Sequence, residues 1–166
     1  MAALAIGSKA PDFALHTSDG KQFVLKEALG RGPVMLAFFK ISCPVCQYAY
    51  PFYERLYKAY KNQGVTLVGI SQNDTKETTA FARQYGVTFP ILLDEKKNKY
   101  PVSSAYGLTN VPTVFWIGQD GTIEISSVGW DRKDFETAGG KMSEATKIPA
   151  ALLIPPSESV ADFRAG

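Results

Sequence analysis

The sequence is short of the side chains that metal sites and disulfide scaffolds need. Two cysteines, Cys43 and Cys46, and one histidine, His16, are its whole stock of those residues. Two cysteines are too few for the disulfide framework of a small secreted domain. A structural zinc site takes four ligands, mostly Cys and His, so zinc here would need carboxylates or a second chain. Neither a metal nor another cofactor is expected. No apolar run approaches the roughly 20 residues of a membrane-spanning helix. The start, MAALAIGSKAPDF, has no Lys or Arg ahead of its short apolar patch. No secretory leader is read there, and a cytoplasmic location is expected. Net charge is only +2, and because the charges are scattered no basic surface points to nucleic acid or a membrane.

With those classes set aside, 45% hydrophobic and 20% charged residues in a chain of 166 fit one globular domain with a sizeable core. ALHTSDGKQFVL (14–25) reads as strand, turn, strand. PVMLAFF (33–39) is a continuous apolar run suited to a central strand buried on both faces. The segment 44–64 has helical spacing at Tyr53, Leu56, Tyr57 and Tyr60, with Pro51 expected to kink it and Gly64 to end it. VTLVGIS (65–71) is a strand. Residues 73–86 form a short helix capped by Asp74 or Thr75 and stopped by Gly86. FPILLD (89–94) is a short strand or link, and 98–107 a modest helix. Residues 112–130 form a hairpin around Gln119-Asp120-Gly121, and 131–146 a weak helix broken at Gly139-Gly140. Strands and helices alternate first and meander later, which predicts an α/β fold: a central mixed sheet flanked by helices, with an N-terminal β-hairpin. The domain is read as 1–146. The remainder, 147–166, holds Pro149, Pro155 and Pro156 and is read as an extended tail, with Leu152, Leu153 and Ile154 free to enter a groove or a neighbouring chain.

The two cysteines lie one helical turn apart in FFKISCPVCQYAYPF (38–52). A metal corner, a structural staple and a redox pair are the three readings. The ligand stock weighs against the first. A staple across two residues closes too small a loop to act much through the unfolded chain. The redox pair remains. Cys43 follows the apolar strand and begins the helix, where free N–H groups and the helix dipole favour a thiolate. Cys46 sits one turn further on, placed to resolve a mixed disulfide or a sulfenic acid. Pro44 fits the first helical turn, where its missing N–H costs nothing. Lys40 would add positive charge near Cys43, or else is a solvated lysine at a strand end. Ser42 would donate to the thiolate or fill a tight turn. Tyr48, Tyr50, Tyr53, Tyr57 and Tyr60 are read mostly as packing with hydroxyls reaching the surface, with Tyr48 or Tyr50 flanking the site as the alternative. Trp116 is read as core, and Trp130 as core or as a cover on the site edge. His16 is an ordinary strand-end histidine.

Cys-x-x-Cys at a strand–helix junction, with Pro51 five residues beyond the second cysteine, resembles the thioredoxin superfamily. VPT (Val111-Pro112-Thr113) resembles its cis-proline loop, which faces the cysteines and offers backbone groups to an extended substrate. GSKAPDFAL, GVTLVGIS, YGVTFPILLD and GLTNVPTVFWIGQDGTI resemble the branch of TlpA-like oxidoreductases and alkyl hydroperoxide reductase/TSA redoxins, over roughly residues 7–137. The resemblance implies a thioredoxin-like fold, Cys43 as nucleophile and Cys46 as resolving residue. It also implies Ser42, Pro44, Val111, Pro112 and Thr113 at the substrate. The chain departs from the pattern too. The buried acid of thioredoxin falls at Ala37, and the glutamate of many TlpA-like proteins at Ala49; Glu54 is over two turns beyond Cys46. The Pro-x-x-x-Thr-x-x-Cys pattern of peroxiredoxins matches neither cysteine, which favours disulfide exchange over peroxide reduction. The implied partners are a protein or small-molecule disulfide, or a peroxide, and an upstream thiol reductant. A thioredoxin-like binding or scaffold module, with its apolar tail in partner contact, is the reading outside enzymes.

Overall fold

The computed structural model describes residues 2–60 and 64–166. Its centre is β3 (Val34–Phe39), the apolar run, buried at every position. Period-two alternation sends successive side chains to opposite faces. Met35, Ala37 and Phe39 enter one core; Val34, Leu36 and Phe38 enter the other. An unbroken apolar run is therefore what a strand covered on both faces requires. Parallel to β3 runs β4 (Thr66–Ser71), followed by β5 (Ile91–Leu93). On its other side β6 (Thr113–Ile117) pairs antiparallel, and β7 (Ile123–Val128) closes the sheet, giving the order β5-β4-β3-β6-β7.

The first core is roofed by α2 (Pro44–Tyr60), α3 (Thr75–Tyr85) and α5 (Arg132–Thr146). The second is covered by the hairpin β1 (Ala14–His16) and β2 (Gln22–Val24), by α1 (Leu25–Leu29) and by α4 (Pro101–Ala105). Asp74 caps α3, its carboxylate accepting from Glu77 N at 2.8 Å, and Gly86 stops it at φ 68°. Buried Asp94 caps α4, accepting from Val102 N at 3.1 Å and Ser103 N at 2.7 Å.

Two expectations change. Helix α1 begins at Leu25, where the apolar pattern predicts only the end of the hairpin, because five residues are too few to show a period. Helix α5 runs unbroken through Gly139-Gly140. A β-carbon on Gly139 would lie 2.8 Å from Leu153 Cδ1 and 3.5 Å from Leu56 Cδ2, so the glycine seats the tail against α2, and packing outweighs its poor helix propensity. The helix α2 continues through Pro51; its expected end at Gly64 falls beyond 61–63, which lie outside the described residues.

The tail crosses the outer faces of α2 and α5. Ile154 is buried, Leu153 packs on the first core, and Leu152 is exposed. Arg55 grips Glu158 with two hydrogen bonds of 2.6 and 2.7 Å and donates to Leu153 O at 2.8 Å. Tyr60 Oη accepts from Ala151 N at 2.8 Å. The strand β8 (Trp130–Asp131) then pairs antiparallel with β9 (Phe163–Arg164).

Candidate active site

The site stands where β3 hands over to α2. Cys43 occupies the position before the first helical residue, Pro44, and its carbonyl accepts the first helical bond from Gln47 N at 3.0 Å. Its sulfur accepts from Cys46 N at 3.2 Å, satisfying one of the free N–H groups at the helix start. From the other side the thiol donates to Val111 O at 3.4 Å. Val111–Pro112 is a cis peptide bond. Thr113 Oγ1 donates to Asn110 O at 2.7 Å, tying off the loop behind it. Both cysteines are free; Cys43 is partly exposed and Cys46 fully buried.

The residues proposed from sequence separate into near and far. Cys43, Cys46, Pro44 and Val111 converge. Ser42 is exposed just ahead of Cys43, while Pro112 and Thr113 are buried behind Val111. Lys40 contributes its carbonyl, which accepts from Cys43 N at 3.3 Å; its side chain is exposed. Glu54 faces away, holding Thr88 N at 2.8 Å and Phe89 N at 3.3 Å. His16 is exposed on the hairpin. Trp116 and Trp130 are both buried.

Burial pushes the Cys46 thiol far up, and the Cys43 side chain adds to the shift. Burial also raises the Tyr50 and Tyr53 hydroxyls. Tyr50 Oη donates to Ala37 O, so a phenol lies against the strand position where thioredoxin carries its acid. Held protonated, neither tyrosine can take a proton from Cys46 at neutral pH.

Two positioning residues were missed in the sequence. Asn73 Oδ1 accepts from Ile41 N at 3.0 Å, and Gln47 Nε2 donates to Ile41 O at 2.9 Å. Both backbone groups of the turn leading to Cys43 are thereby fixed by side chains. Asn73 lies 32 residues from its partner, so no local pattern reveals it. Asn73→Ala is expected to lower Tm by about 3–6 °C, as loss of one part-buried hydrogen bond would. Asn73→Asp, which keeps an acceptor, should recover most of it in a calorimetric melt.

A partly exposed cysteine sulfur at a helix start, a second cysteine buried one turn on and a cis-proline loop across from them, on this sheet order, define a thioredoxin-superfamily fold. The sequence profile of the AhpC/TSA family matches residues 6–126, and the chain belongs to that family. It is 35% identical over 123 residues to the thiol-disulfide oxidoreductase ResA of Geobacillus thermodenitrificans, covering 74% of this chain and 68% of that protein. Against the ResA of Bacillus subtilis it is 34% identical over 154 residues, 92% of this chain and 78% of that one. Among solved structures it superposes on a putative protein disulfide isomerase from Bacteroides thetaiotaomicron with a TM-score of 0.79 at 29% identity, covering 89% and 95% of the two chains. A putative thiol:disulfide interchange protein DsbE from Chlorobium tepidum gives 0.73 at 28% identity, covering 87% and 99%.

Proposed function

We propose that the protein is a thiol–disulfide oxidoreductase in which Cys43 is the nucleophile and Cys46 the resolving residue. The observation that carries this is the contrast between the two sulfurs. Cys43 is reachable and held between an N–H donor and the Val111 carbonyl; Cys46 is sealed in the core directly behind it. The Cys43 thiolate attacks a substrate disulfide, forming a mixed disulfide and expelling one substrate thiolate, which takes up a proton. Cys46 then loses its proton, attacks the Cys43 sulfur, and releases the second substrate thiolate. The product is a Cys43–Cys46 disulfide, and an upstream dithiol reductant returns it to the starting state. In a reducing compartment such as the cytoplasm the pair rests reduced and acts as a reductant. Ser42, Pro44 and Val111 form the substrate's contact surface, with Pro112 and Thr113 behind it.

Family membership also brings peroxide reduction into view as a second reading. The sequence around the cysteines favours disulfide exchange: the Pro-x-x-x-Thr-x-x-Cys pattern of peroxiredoxins matches neither Cys43 nor Cys46. Reduced protein is to be mixed with insulin and, in parallel, with hydrogen peroxide, and thiol loss followed in time. Fast loss with insulin and slow loss with peroxide is the expected result; the reverse order makes this a peroxidase.

The pH dependence follows from Cys46. Its raised value leaves it protonated through neutral and mildly alkaline pH, so resolution draws on a thiolate fraction that grows with pH. Release from a preformed mixed disulfide should accelerate about tenfold per pH unit between pH 6 and 9. A flat profile would reveal a protein group that removes the proton.

A further inference from the structure

The end of the tail arrives at the site. After pairing with Trp130–Asp131, β9 leads across Gly129, whose N–H donates to Pro112 O at 2.7 Å, and on to Val111. A β-carbon on Gly129, at φ 82°, would lie 2.5 Å from Arg164 O and 3.1 Å from Gly166 N. One on Gly166 would lie 2.4 Å from Val111 O. Only with glycine at both positions do the two backbones meet face to face. Asn110 Nδ2 donates to Gly166 O at 3.3 Å, and the Arg164 guanidinium sits 4.1 Å above the Tyr48 ring. Val111 O is the same carbonyl that accepts from Cys43.

We infer that Phe163–Gly166 is a built-in occupant of the polypeptide edge at Val111, so that the tail determines which disulfides reach Cys43. This rests on the oxidoreductase reading above. An extended polypeptide delivering its disulfide to Cys43 must lie along Val111 and find partners for its own backbone there. That strip is taken by Gly166. A small disulfide needs only the Cys43 sulfur, which stays partly exposed. The tethers are graded along the tail. Upstream, Glu158 is clamped by Arg55, while Ala161 donates to Tyr48 Oη at 3.0 Å and accepts from Trp130 Nε1 at 2.7 Å. Beyond Ala161 the tethers are exposed: Asp162 O accepting from Arg132 N at 2.9 Å, a two-residue ladder, and the Arg164 and Gly166 contacts above, with the Phe163 side chain 55% exposed. Phe163–Gly166 can therefore lift while the upstream tail stays docked, as segments with few buried contacts do.

The test compares the full chain with Phe163→Ala/Arg164→Gln and with a chain ending at Asp162, all reduced and all checked by circular dichroism melts. Each is mixed with insulin and with hydroxyethyl disulfide, a small neutral disulfide. If the covered form holds about nine-tenths of the molecules, uncovering raises the insulin rate about tenfold. The hydroxyethyl disulfide rate should stay unchanged. The double variant replaces only exposed side chains, so it reports even if the shortened chain melts early. An insulin rate that does not rise, or a rise shared by both substrates, overturns the inference while leaving the enzyme reading intact. If the full chain reduces neither disulfide, the enzyme reading falls and the inference with it.

Discussion

Cys43→Ser should remove disulfide reduction almost completely, by more than about a thousandfold, because the other thiol, Cys46, is fully buried. Cys46→Ser should behave differently. It keeps the exposed nucleophile and loses only the group that frees it, so a covalent adduct on Cys43 accumulates after one turnover. Mass spectrometry of the two variants after insulin treatment reads both outcomes. An adduct on Cys46 in the Cys43→Ser protein would reverse the assigned roles. It would also contradict the full burial of Cys46. Unchanged function of the host pathway with Cys43→Ser would instead leave a thioredoxin-like binding module whose cysteines are incidental.

The sequence carried this much of the site because its chemistry is local. Cys43, Pro44 and Cys46 share one helical turn, and the strand before them is written as an unbroken apolar run. The cis-proline loop was legible through resemblance, since nothing in Val111-Pro112-Thr113 alone places it across from Cys43. Long-range side-chain choices were not legible. Asn73 holds Ile41, Tyr50 reaches Ala37, and Glu54 holds Thr88 and Phe89, each by a contact that only the packed fold creates. The glycine pair in α5 misled for a related reason. Local propensity speaks for a break, whereas the space beside Gly139 is claimed by Leu153 from the tail. The path of the tail was the least legible part. Its two-residue strand is exposed and carries no alternation, and its docking depends on backbone contact at glycines.

Trp130→Ala should cost about 3–5 kcal/mol and lower Tm by about 6–20 °C, the range for deleting a fully buried indole in a domain this size. The ring is wholly inaccessible. It stacks on Phe52 at 4.8 Å, meets Tyr48 edge-on at 5.8 Å and lies 5.2 Å from Phe135, joining α2 to α5. It is also the tail's anchor, through Nε1 to Ala161 O. Those two roles separate experimentally. Trp130→Phe keeps most of the packing but leaves the Ala161 carbonyl without its donor, at a cost of about 1–3 kcal/mol. Calorimetric Tm reads the packing, and limited proteolysis reads the tail. Trp130→Phe should therefore melt well above Trp130→Ala yet be cut in 158–166 faster than the parent chain. If both variants melt alike, the hydrogen bond and not the indole's packing is the main contribution. If the phenylalanine variant resists cleavage as the parent does, the tail is held by its other contacts, Arg55–Glu158 and Tyr48–Ala161 among them, and Trp130 is a core residue and nothing more.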